Sequence, residues 1–217
     1  MPTALDTALD TITAALTAPG QPFATVPFVR DGVEMPAFAA APPSLAHYFA
    51  HFCNENKDIP FLVDGEVRLT FGETYAAATR VAEGLVRRHG IAKGDRVGIA
   101  ARNSANWMIA YMGILMAGGC ATLINGFSSG RLVLADAPRA ARLEGHAHGA
   151  QVVLFSHGNA PAEGLAEVWA EPEGTGVAMA MLGELGPDDL ATILFTSGST
   201  GKSKGAFSDH RGVVHGV

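Results

Sequence analysis

Two segments between residues 44 and 90 carry apolar residues at helical spacing. In the first, Ser44 is a typical N-cap residue, and apolar side chains follow it three or four positions apart. They are Leu45, Tyr48, Phe49 and Phe52. In the second, Thr70 and Glu73 have the spacing of a capping box, and Gly90 is a typical helix stop. The pattern predicts two amphipathic helices.

Short apolar runs predict strands between and after these helices. Residues 61–63 and 67–69 flank Asp64-Gly65, which is a strong signal for a hairpin. Further candidate strands cover residues 96–101, 120–124, 131–135, 151–155 and 190–195. Strands that alternate with helices in this way indicate a layered α/β fold with a largely parallel sheet and flanking helices.

Residues 107–124 form an uncharged stretch that is about as long as a membrane-spanning helix. Glycines interrupt the stretch at positions 113, 118 and 119. We therefore predict no membrane span but a buried helix over 106–117, a Gly-Gly turn and a buried strand over 120–124. Both elements are apolar on all sides because covered elements of α/β proteins lose their polar face.

The N-terminal segment is rich in proline, at positions 2, 19, 22, 27, 36, 42 and 43. Proline removes a backbone donor and interrupts regular structure, so the segment is expected to be weakly ordered. The sequence thus predicts an N-terminal arm over residues 1–43, followed by a single α/β domain over residues 44–217.

Composition and charge exclude several classes of protein. With 48% hydrophobic and 17% charged residues, the chain is not a disordered tail, and its net charge of −6 argues against nucleic-acid binding. Cys53 and Cys120 have no paired spacing, so a reducing cytoplasm is expected rather than a disulfide framework or zinc site. Residues 1–20 contain Asp6 and Asp10 and no basic residue, which is unlike a signal peptide.

Other polar residues have simpler explanations than metal binding. His47 and His51 lie one helical turn apart, but Tyr48 stands where a zincin would have its glutamate. Asp188 and Asp189 precede the last predicted strand, and the chemistry of a turn explains them better than a Mg²⁺ site. We assign no metal ligand and no catalytic residue in this chain.

The most informative segment follows the strand predicted over 190–195. Its glycines let the backbone approach an anion, its hydroxyl and N–H groups can donate hydrogen bonds, and its lysines supply positive charge. The candidate binding residues are Thr196, Ser197, Gly198, Ser199, Thr200, Gly201, Lys202, Lys204 and Gly205. The expected ligand is a polyphosphate, and ATP is the first choice.

Two common phosphate-binding patterns do not fit this segment. The Walker A loop requires a glycine where this chain has Thr196. The dinucleotide fingerprint requires glycines two and then three positions apart, whereas here they stand at positions 198, 201 and 205. Neither a Walker ATPase nor a Rossmann dehydrogenase is supported.

The segment does resemble the Thr-Ser-Gly-Ser/Thr-Thr-Gly-x-x-Lys-Gly signature of adenylate-forming (AMP-binding) enzymes. This superfamily includes acyl-CoA synthetases, luciferases and the adenylation domains of peptide synthetases. The match runs from Thr196 to Gly205 and departs at Ser203, where the family usually has proline. Upstream segments resemble the family in the same order, at residues 69–73, 94–97, 103–104, 116–119 and 123–125.

The resemblance implies two-step activation of a small carboxylic acid. The carboxylate attacks the α-phosphorus of Mg²⁺-ATP and releases pyrophosphate, and a thiol, usually that of coenzyme A, then captures the acyl-adenylate. The loop would hold the β- and γ-phosphates, and Lys204 stands at the family's usual lysine position. Which acid is used, and whether the thiol belongs to coenzyme A or to a carrier protein, stays open.

The family is much longer than this chain. Its later motifs and its small C-terminal domain have no match before Val217, so the chain resembles the N-terminal part of the family's large domain. By itself it is expected to be inactive and poorly folded. Two alternatives remain, a non-catalytic truncated remnant that at most binds nucleotide and a different ATP-binding protein.

One connection between strands is unusually short. A parallel crossover needs about a dozen residues, normally with a helix, but only residues 125–130 join the strands predicted over 120–124 and 131–135. The family resemblance implies a helix at this point. Either the two strands are paired differently, or a segment has been lost, and its loss is expected to expose an apolar sheet face.

Overall fold

The computed structural model of the chain describes residues 2–123, 130–145, 149–169, 176–196 and 204–216. The chain divides into two compact units. Unit 1 comprises Met1–Pro42 and Val214–Val217, and unit 2 comprises Pro43–Val213.

Unit 1 contains regular structure in the segment that was expected to be weakly ordered, so that expectation is wrong. Its elements are helix α1 (Ala4–Thr17), strand β1 (Thr25–Arg30) and strand β2 (Val33–Phe38). Helix α1 begins with a complete capping box, in which Thr3 accepts from the Asp6 N–H and the Asp6 carboxylate accepts from the Thr3 N–H.

The hairpin of unit 1 follows from a turn signal that the prolines obscured. Asp31 and Gly32 adopt positive φ angles of 52° and 78°, as the two central residues of a type I′ turn require. Pro27 and Pro36 lie opposite each other in the register of β1 and β2. Proline has no N–H for the ladder, so it is tolerated on an edge strand. Both strands of this hairpin are edges.

Unit 2 opens with the predicted amphipathic helices and the hairpin between them. Its first elements are α2 (Leu45–Glu55), β3 (Pro60–Asp64), β4 (Val67–Thr70) and α3 (Phe71–Arg87). The Ser44 side chain caps α2, and Thr70 and Glu73 form the capping box of α3, which confirms both predictions. The hairpin turn is Gly65-Glu66, one residue later than predicted, because Asp64 already pairs with Val67.

A six-stranded sheet forms the centre of unit 2, with the strand order β10-β9-β6-β5-β7-β8. Strands β5 to β9 are parallel, and β10 is antiparallel to β9. This confirms the predicted α/β fold with a largely parallel sheet. The remaining elements are β5 (Arg96–Ala100), α4 (Ala105–Met116), β6 (Cys120–Leu123), β7 (Leu132–Ala135), α5 (Ala137–Leu143), β8 (Gln151–Leu154), α6 (Pro161–Gly164), α7 (Gly176–Leu182), β9 (Leu190–Thr196), β10 (Lys204–Asp209) and α8 (His210–Val214).

Helices α4 and α5 cover opposite faces of this sheet. The Tyr111 side chain of α4 contacts Thr192, which pairs with Ala121. Helix α5 packs on the opposite face of the sheet, where its Leu143 joins a buried cluster with Ala100, Val133 and Ala135. The uncharged stretch over 107–124 thus comprises most of a buried helix and a buried strand, as predicted. Within the described part of the chain, no helix is both long and apolar enough to cross a membrane.

The short connection joins strands that are not neighbours. Both β6 and β7 pair with β5, one on each side of it. Most of the connection lies outside the described residues. The expected exposure of an apolar face is not seen on β5 and β7, where Ala100, Val133 and Ala135 are buried.

Candidate phosphate-binding site

The candidate phosphate loop joins the last two strands of the sheet. Strand β9 runs parallel to β6 and ends at Thr196, at the carboxyl edge of the parallel strands. Strand β10 then returns antiparallel, with Lys204 opposite Thr196 and Gly205 opposite Phe195. Open α/β sheets bind their ligands at this carboxyl edge, so the strand residues that flank the loop, Thr196 and Lys204, lie where a ligand is expected.

The predicted site residues fall only in part within the described chain. Thr196, Lys204 and Gly205 meet at the base of the β9–β10 hairpin, and Lys204 is exposed. The residues between them, Ser197, Gly198, Ser199, Thr200, Gly201 and Lys202, lie outside the described residues. The assignment of the whole set to a phosphate ligand therefore stays a prediction.

Gly205 has a packing role next to the loop. A Cβ atom at this position would lie 3.3 Å from Ile193 Cγ2 and 3.4 Å from Phe195 Cε1. Such distances are tight, because carbon atoms prefer to lie about 3.5–4.0 Å apart. The glycine thus lets the ring of Phe195 lie close to the backbone of β10, which fixes the two strands on which the loop is mounted.

Strand β9 is held from the opposite side by a partly buried hydrogen bond. The Tyr111 hydroxyl lies 2.9 Å from Thr192 Oγ1. Burial raises the pKa of Tyr111, although the hydrogen bond with Thr192 partly opposes this shift, so the hydroxyl stays neutral. The sequence pattern did not indicate this pair. Its signal was a tyrosine in a helix predicted to be buried, where a hydroxyl needs a partner.

The other end of the hairpin is anchored at the amino edge of the sheet. The backbone N–H of His210 donates to Asp189 O at 3.0 Å, and that of Arg211 donates to Pro187 O at 2.8 Å. The His210 ring accepts a hydrogen bond from the backbone N–H of Leu45 at 3.1 Å. Strand β10 is therefore fixed at the end that is remote from the loop.

The acidic pair before β9 belongs to this anchor. Asp189 forms an ion pair with Lys93 at 2.8 Å, and Asp188 forms one with Arg211 at 3.1 Å. Asp189 Oδ2 also accepts from the backbone N–H of Gly186, as in a turn. These contacts support the turn interpretation and lie at the opposite edge from the loop.

The histidines singled out in the sequence have separate partners. His47 Nδ1 lies 2.8 Å from Ser44 Oγ, and His51 Nε2 lies 3.4 Å from Glu55 Oε2. Burial lowers the pKa of His47, which favours a neutral ring. Among the described residues, no group of three or more His, Cys, Asp or Glu side chains could hold a metal ion.

A separate cavity of about 330 Å³ opens at the carboxyl ends of β7 and β8. Asp136 lies in its wall. Burial raises the pKa of this carboxyl, but the hydrogen bonds from the Arg102 and Arg139 N–H groups and the Arg139 charge outweigh it, so the pKa lies below its usual value. His157 Nδ1 is 4.0 Å from Asp136 Oδ2. Asp136 thus ties the loop after β5 to the start of α5.

Comparison with known proteins gives a consistent result. Residues 49–217 match the family described as AMP-binding enzyme. The 4-coumarate–CoA ligase-like 3 of Oryza sativa subsp. japonica is 30% identical over 86% of this chain and 36% of its own length. The long-chain-fatty-acid–CoA ligase FadD13 of Mycobacterium tuberculosis is 31% identical over 68% of this chain and 31% of its own length. The surfactin synthase subunit 3 of Bacillus subtilis is 28% identical over 90% of this chain and 16% of its own length.

Solved structures share the fold. The N-terminal domain of FACL13 from Mycobacterium tuberculosis superposes with a TM-score of 0.60 and 23% identity, over 77% of this chain and 44% of that one. The N-terminal subdomain of NpsA from Klebsiella oxytoca gives a TM-score of 0.61 and 20% identity, over 82% of this chain and 44% of that one. The chain thus spans about a third of the curated CoA ligases it matches. It belongs to the AMP-binding enzyme family, of which it represents the N-terminal part.

Proposed function

We propose that the chain is part of an enzyme that activates a carboxylic acid with ATP and transfers the acyl group to a thiol. The observation that carries this proposal is the family match over residues 49–217, which includes the phosphate loop. The position of its flanking residues Thr196 and Lys204 at the carboxyl edge of the sheet is compatible with a ligand there. The proposed domain is residues 44–217, an incomplete adenylation domain.

The loop is proposed to bind the β- and γ-phosphates of Mg²⁺-ATP. The hydroxyl groups of Thr196, Ser197, Ser199 and Thr200 and the N–H groups of Gly198 and Gly201 would donate to phosphate oxygens. Lys202 and Lys204 would offset their charge. Fixed donors of this kind stabilise the negative charge that builds up on the leaving pyrophosphate. Mg²⁺ enters with the triphosphate as part of the substrate.

The proposed chemistry has two balanced steps. A carboxylate oxygen attacks the α-phosphorus, the bond from the α-phosphorus to the bridging oxygen breaks, and pyrophosphate leaves with the electron pair. A thiolate then attacks the acyl carbon of the mixed anhydride, and AMP leaves. Two matched relatives are named as CoA ligases, which favours coenzyme A as the thiol, whereas matches to adenylation domains of peptide synthetases favour a protein-bound one.

This chain supplies only one part of that chemistry. The groups that align the acid and the ribose with the α-phosphorus are not assigned to any of its residues, and such alignment can account for about 7–11 kcal/mol of a barrier. We therefore propose that the 217-residue chain alone does not catalyse acyl-adenylate formation.

Exchange of labelled pyrophosphate into ATP tests the proposal. The chain is fused to the remaining part of a full-length CoA ligase and assayed with a panel of aliphatic, aromatic and amino acids. Exchange that depends on the acid is expected, because adenylate formation is reversible. A folded fusion that shows no exchange with any acid, or that forms ADP, contradicts the proposal.

A further inference from the structure

Helix α1 of unit 1 presents a stripe of exposed apolar side chains. The stripe consists of Leu5, Leu9, Ile12 and Leu16, which are 68%, 52%, 56% and 43% exposed. No residue of this 14-residue helix is buried. A helix of this length is marginal in water by itself, because most of the stability of a protein helix comes from the packing of its apolar face. The stripe is therefore expected to be covered in solution.

The spacing of the stripe favours a second helix as its cover. Consecutive members lie four, three and four positions apart, which is the spacing of the two core positions of a heptad repeat. Side chains at this spacing interlock with those of another helix that crosses at a small angle. On one side the stripe is flanked by Ala8 and Ala15. These small residues allow the backbone of a second helix to approach closely.

The charges of α1 exclude a lipid surface as the cover. Asp6 and Asp10 are the only charged residues of the helix, and it contains no basic residue. A helix that lies on a membrane carries Lys and Arg on its polar face, because the membrane surface is anionic. Helix α1 has the opposite charge, so its cover is a protein surface.

The same charges leave the stripe complementary to itself. The Asp6 carboxylate is engaged by the backbone N–H and the hydroxyl group of Thr3. Asp10 projects about 130° away from the centre of the stripe, since successive residues of a helix are rotated by about 100°. The contact surface is thus apolar and free of charge. It needs no charged partner, and two copies of it can meet without burying a carboxylate.

We infer that the apolar stripe of α1 is a self-association site, at which α1 packs against α1 of a second copy of this chain. A two-fold arrangement covers the same four side chains in both copies. A standard interface has about 20–30 residues on each side, so a contact through this short helix is weak. Its Kd is expected to be about 10–100 μM. The inference concerns unit 1 alone and does not rest on the proposed activity.

Sedimentation equilibrium of the 217-residue chain tests this inference without nucleotide or acid. The chain is expected to change from monomer to dimer over about 5–500 μM, a range that includes the expected Kd. Leu9→Asp and Ile12→Asp each place a charge in the contact and are expected to raise the Kd at least tenfold. Both side chains are exposed in the single chain, so these substitutions leave its buried core intact. Thr11→Asp adds the same charge on the polar side of α1 and is expected to leave the Kd unchanged.

Hydrogen exchange gives a second measurement that does not depend on the variants. Amides of α1 are expected to exchange at least twofold more slowly at the high end of this concentration range than at the low end. Amides of the buried helix α4 are expected to show no such dependence. A chain that stays monomeric throughout, or protection of α1 that is independent of concentration, overturns the inference. Association that survives Leu9→Asp, or that Thr11→Asp weakens equally, overturns it as well.

Discussion

His210 Nδ1 accepts a hydrogen bond from the backbone N–H of Leu45 at 3.1 Å. His210 follows strand β10 directly, and Leu45 is the first residue of α2. A residue next to the β9–β10 hairpin thus satisfies one of the free N–H groups at the start of a helix far away in the sequence. Only the neutral ring can do so, because Nδ1 has no lone pair once it is protonated.

The stability of unit 2 is expected to fall in mildly acidic solution because of His210. Burial lowers its pKa to about 4, although Asp189 and Asp209 oppose the shift, and His47 and Lys93 add to it. In the unfolded chain the pKa is about 6.5. The unfolded state therefore binds the proton first as the pH falls, and stability is lost between about pH 6.5 and pH 4. The expected loss is on the order of 2–3 kcal/mol.

Urea unfolding at a series of pH values measures this loss. His210→Asn retains an acceptor near the position of Nδ1 and removes the titration, so its stability is expected to depend less on pH over this range. His51→Asn changes an exposed histidine and serves as the control. If the free energy of unfolding of His210→Asn falls as steeply from pH 6.5 to pH 4 as that of the unmodified chain, His210 does not cause the loss of stability.

Local signals in the sequence predicted much of unit 2, and long-range contacts account for what they missed. Thr70 and Glu73 lie within one turn of each other, so their capping box follows from spacing alone. The order of the strands depends on pairing between distant segments, and no local pattern specified that β5 lies between β6 and β7. The cap that His210 provides for α2 joins residues from opposite ends of unit 2 and has no sequence signature.

Competing local signals explain the error in unit 1. The Asp31-Gly32 turn has the same chemistry as the hairpin signal recognised at Asp64-Gly65. Many prolines nearby suggested disorder instead, although Pro27 and Pro36 are compatible with edge strands. At the candidate site, the residue types alone suggested a phosphate loop. The Tyr111–Thr192 contact behind it depends on the packing of α4 on β9, which no local pattern specifies.

Removal of the positive charge at the base of the loop is expected to weaken nucleotide binding. A hydrogen bond to a charged group contributes about 1.5–3 kcal/mol, so Lys204→Ala is expected to raise the Kd for Mg²⁺-ATP by roughly 10- to 150-fold. Thr200→Ala, at a position outside the described residues, is expected to weaken binding in the same direction. Both Kd values are measured by isothermal titration of Mg²⁺-ATP into the fusion protein, in which this chain is joined to the remaining part of a full-length CoA ligase.

The control for this prediction is His51→Ala, on the exposed side of α2. Its Kd for Mg²⁺-ATP is expected to equal that of the unmodified fusion. Equal affinities for all three variants would mean that the segment after Thr196 is only a turn between β9 and β10.

The hydrogen bond between Tyr111 and Thr192 is expected to couple the effects of substitutions at these two residues on stability. Tyr111→Phe leaves the buried Thr192 hydroxyl without this partner, which costs about 1–3 kcal/mol, whereas replacing both partners with apolar groups is closer to neutral. Tyr111→Phe/Thr192→Val is therefore expected to lose less than the sum of the two single variants. A double-mutant cycle by urea unfolding measures the difference, and strictly additive losses would show that the two hydroxyl groups do not interact.

Gly84 is expected to tolerate no side chain, although it lies within a helix where alanine is intrinsically better by about 1 kcal/mol. A Cβ atom there would lie 2.1 Å from the backbone oxygen of Val168 and 2.6 Å from Trp169 Cα. That backbone cannot move away easily, because Arg88 donates to Trp169 O at 2.8 Å and the Arg80 guanidinium lies 3.7 Å from the centre of the Trp169 ring.

Gly84→Ala is therefore expected to lower the free energy of unfolding by about 1–3 kcal/mol, the usual cost of overpacking. Gly176→Ala is the matched control, because Gly176 begins α7 and a Cβ atom there meets none of the described residues within 4 Å. That variant is expected to keep or slightly increase stability, since it restricts the unfolded chain. Urea unfolding of the two variants shows whether each substitution raises or lowers the free energy of unfolding. Equal stability of Gly84→Ala and Gly176→Ala would show that the segment around Trp169 is free to move off α3, and would remove the reason for a glycine at position 84.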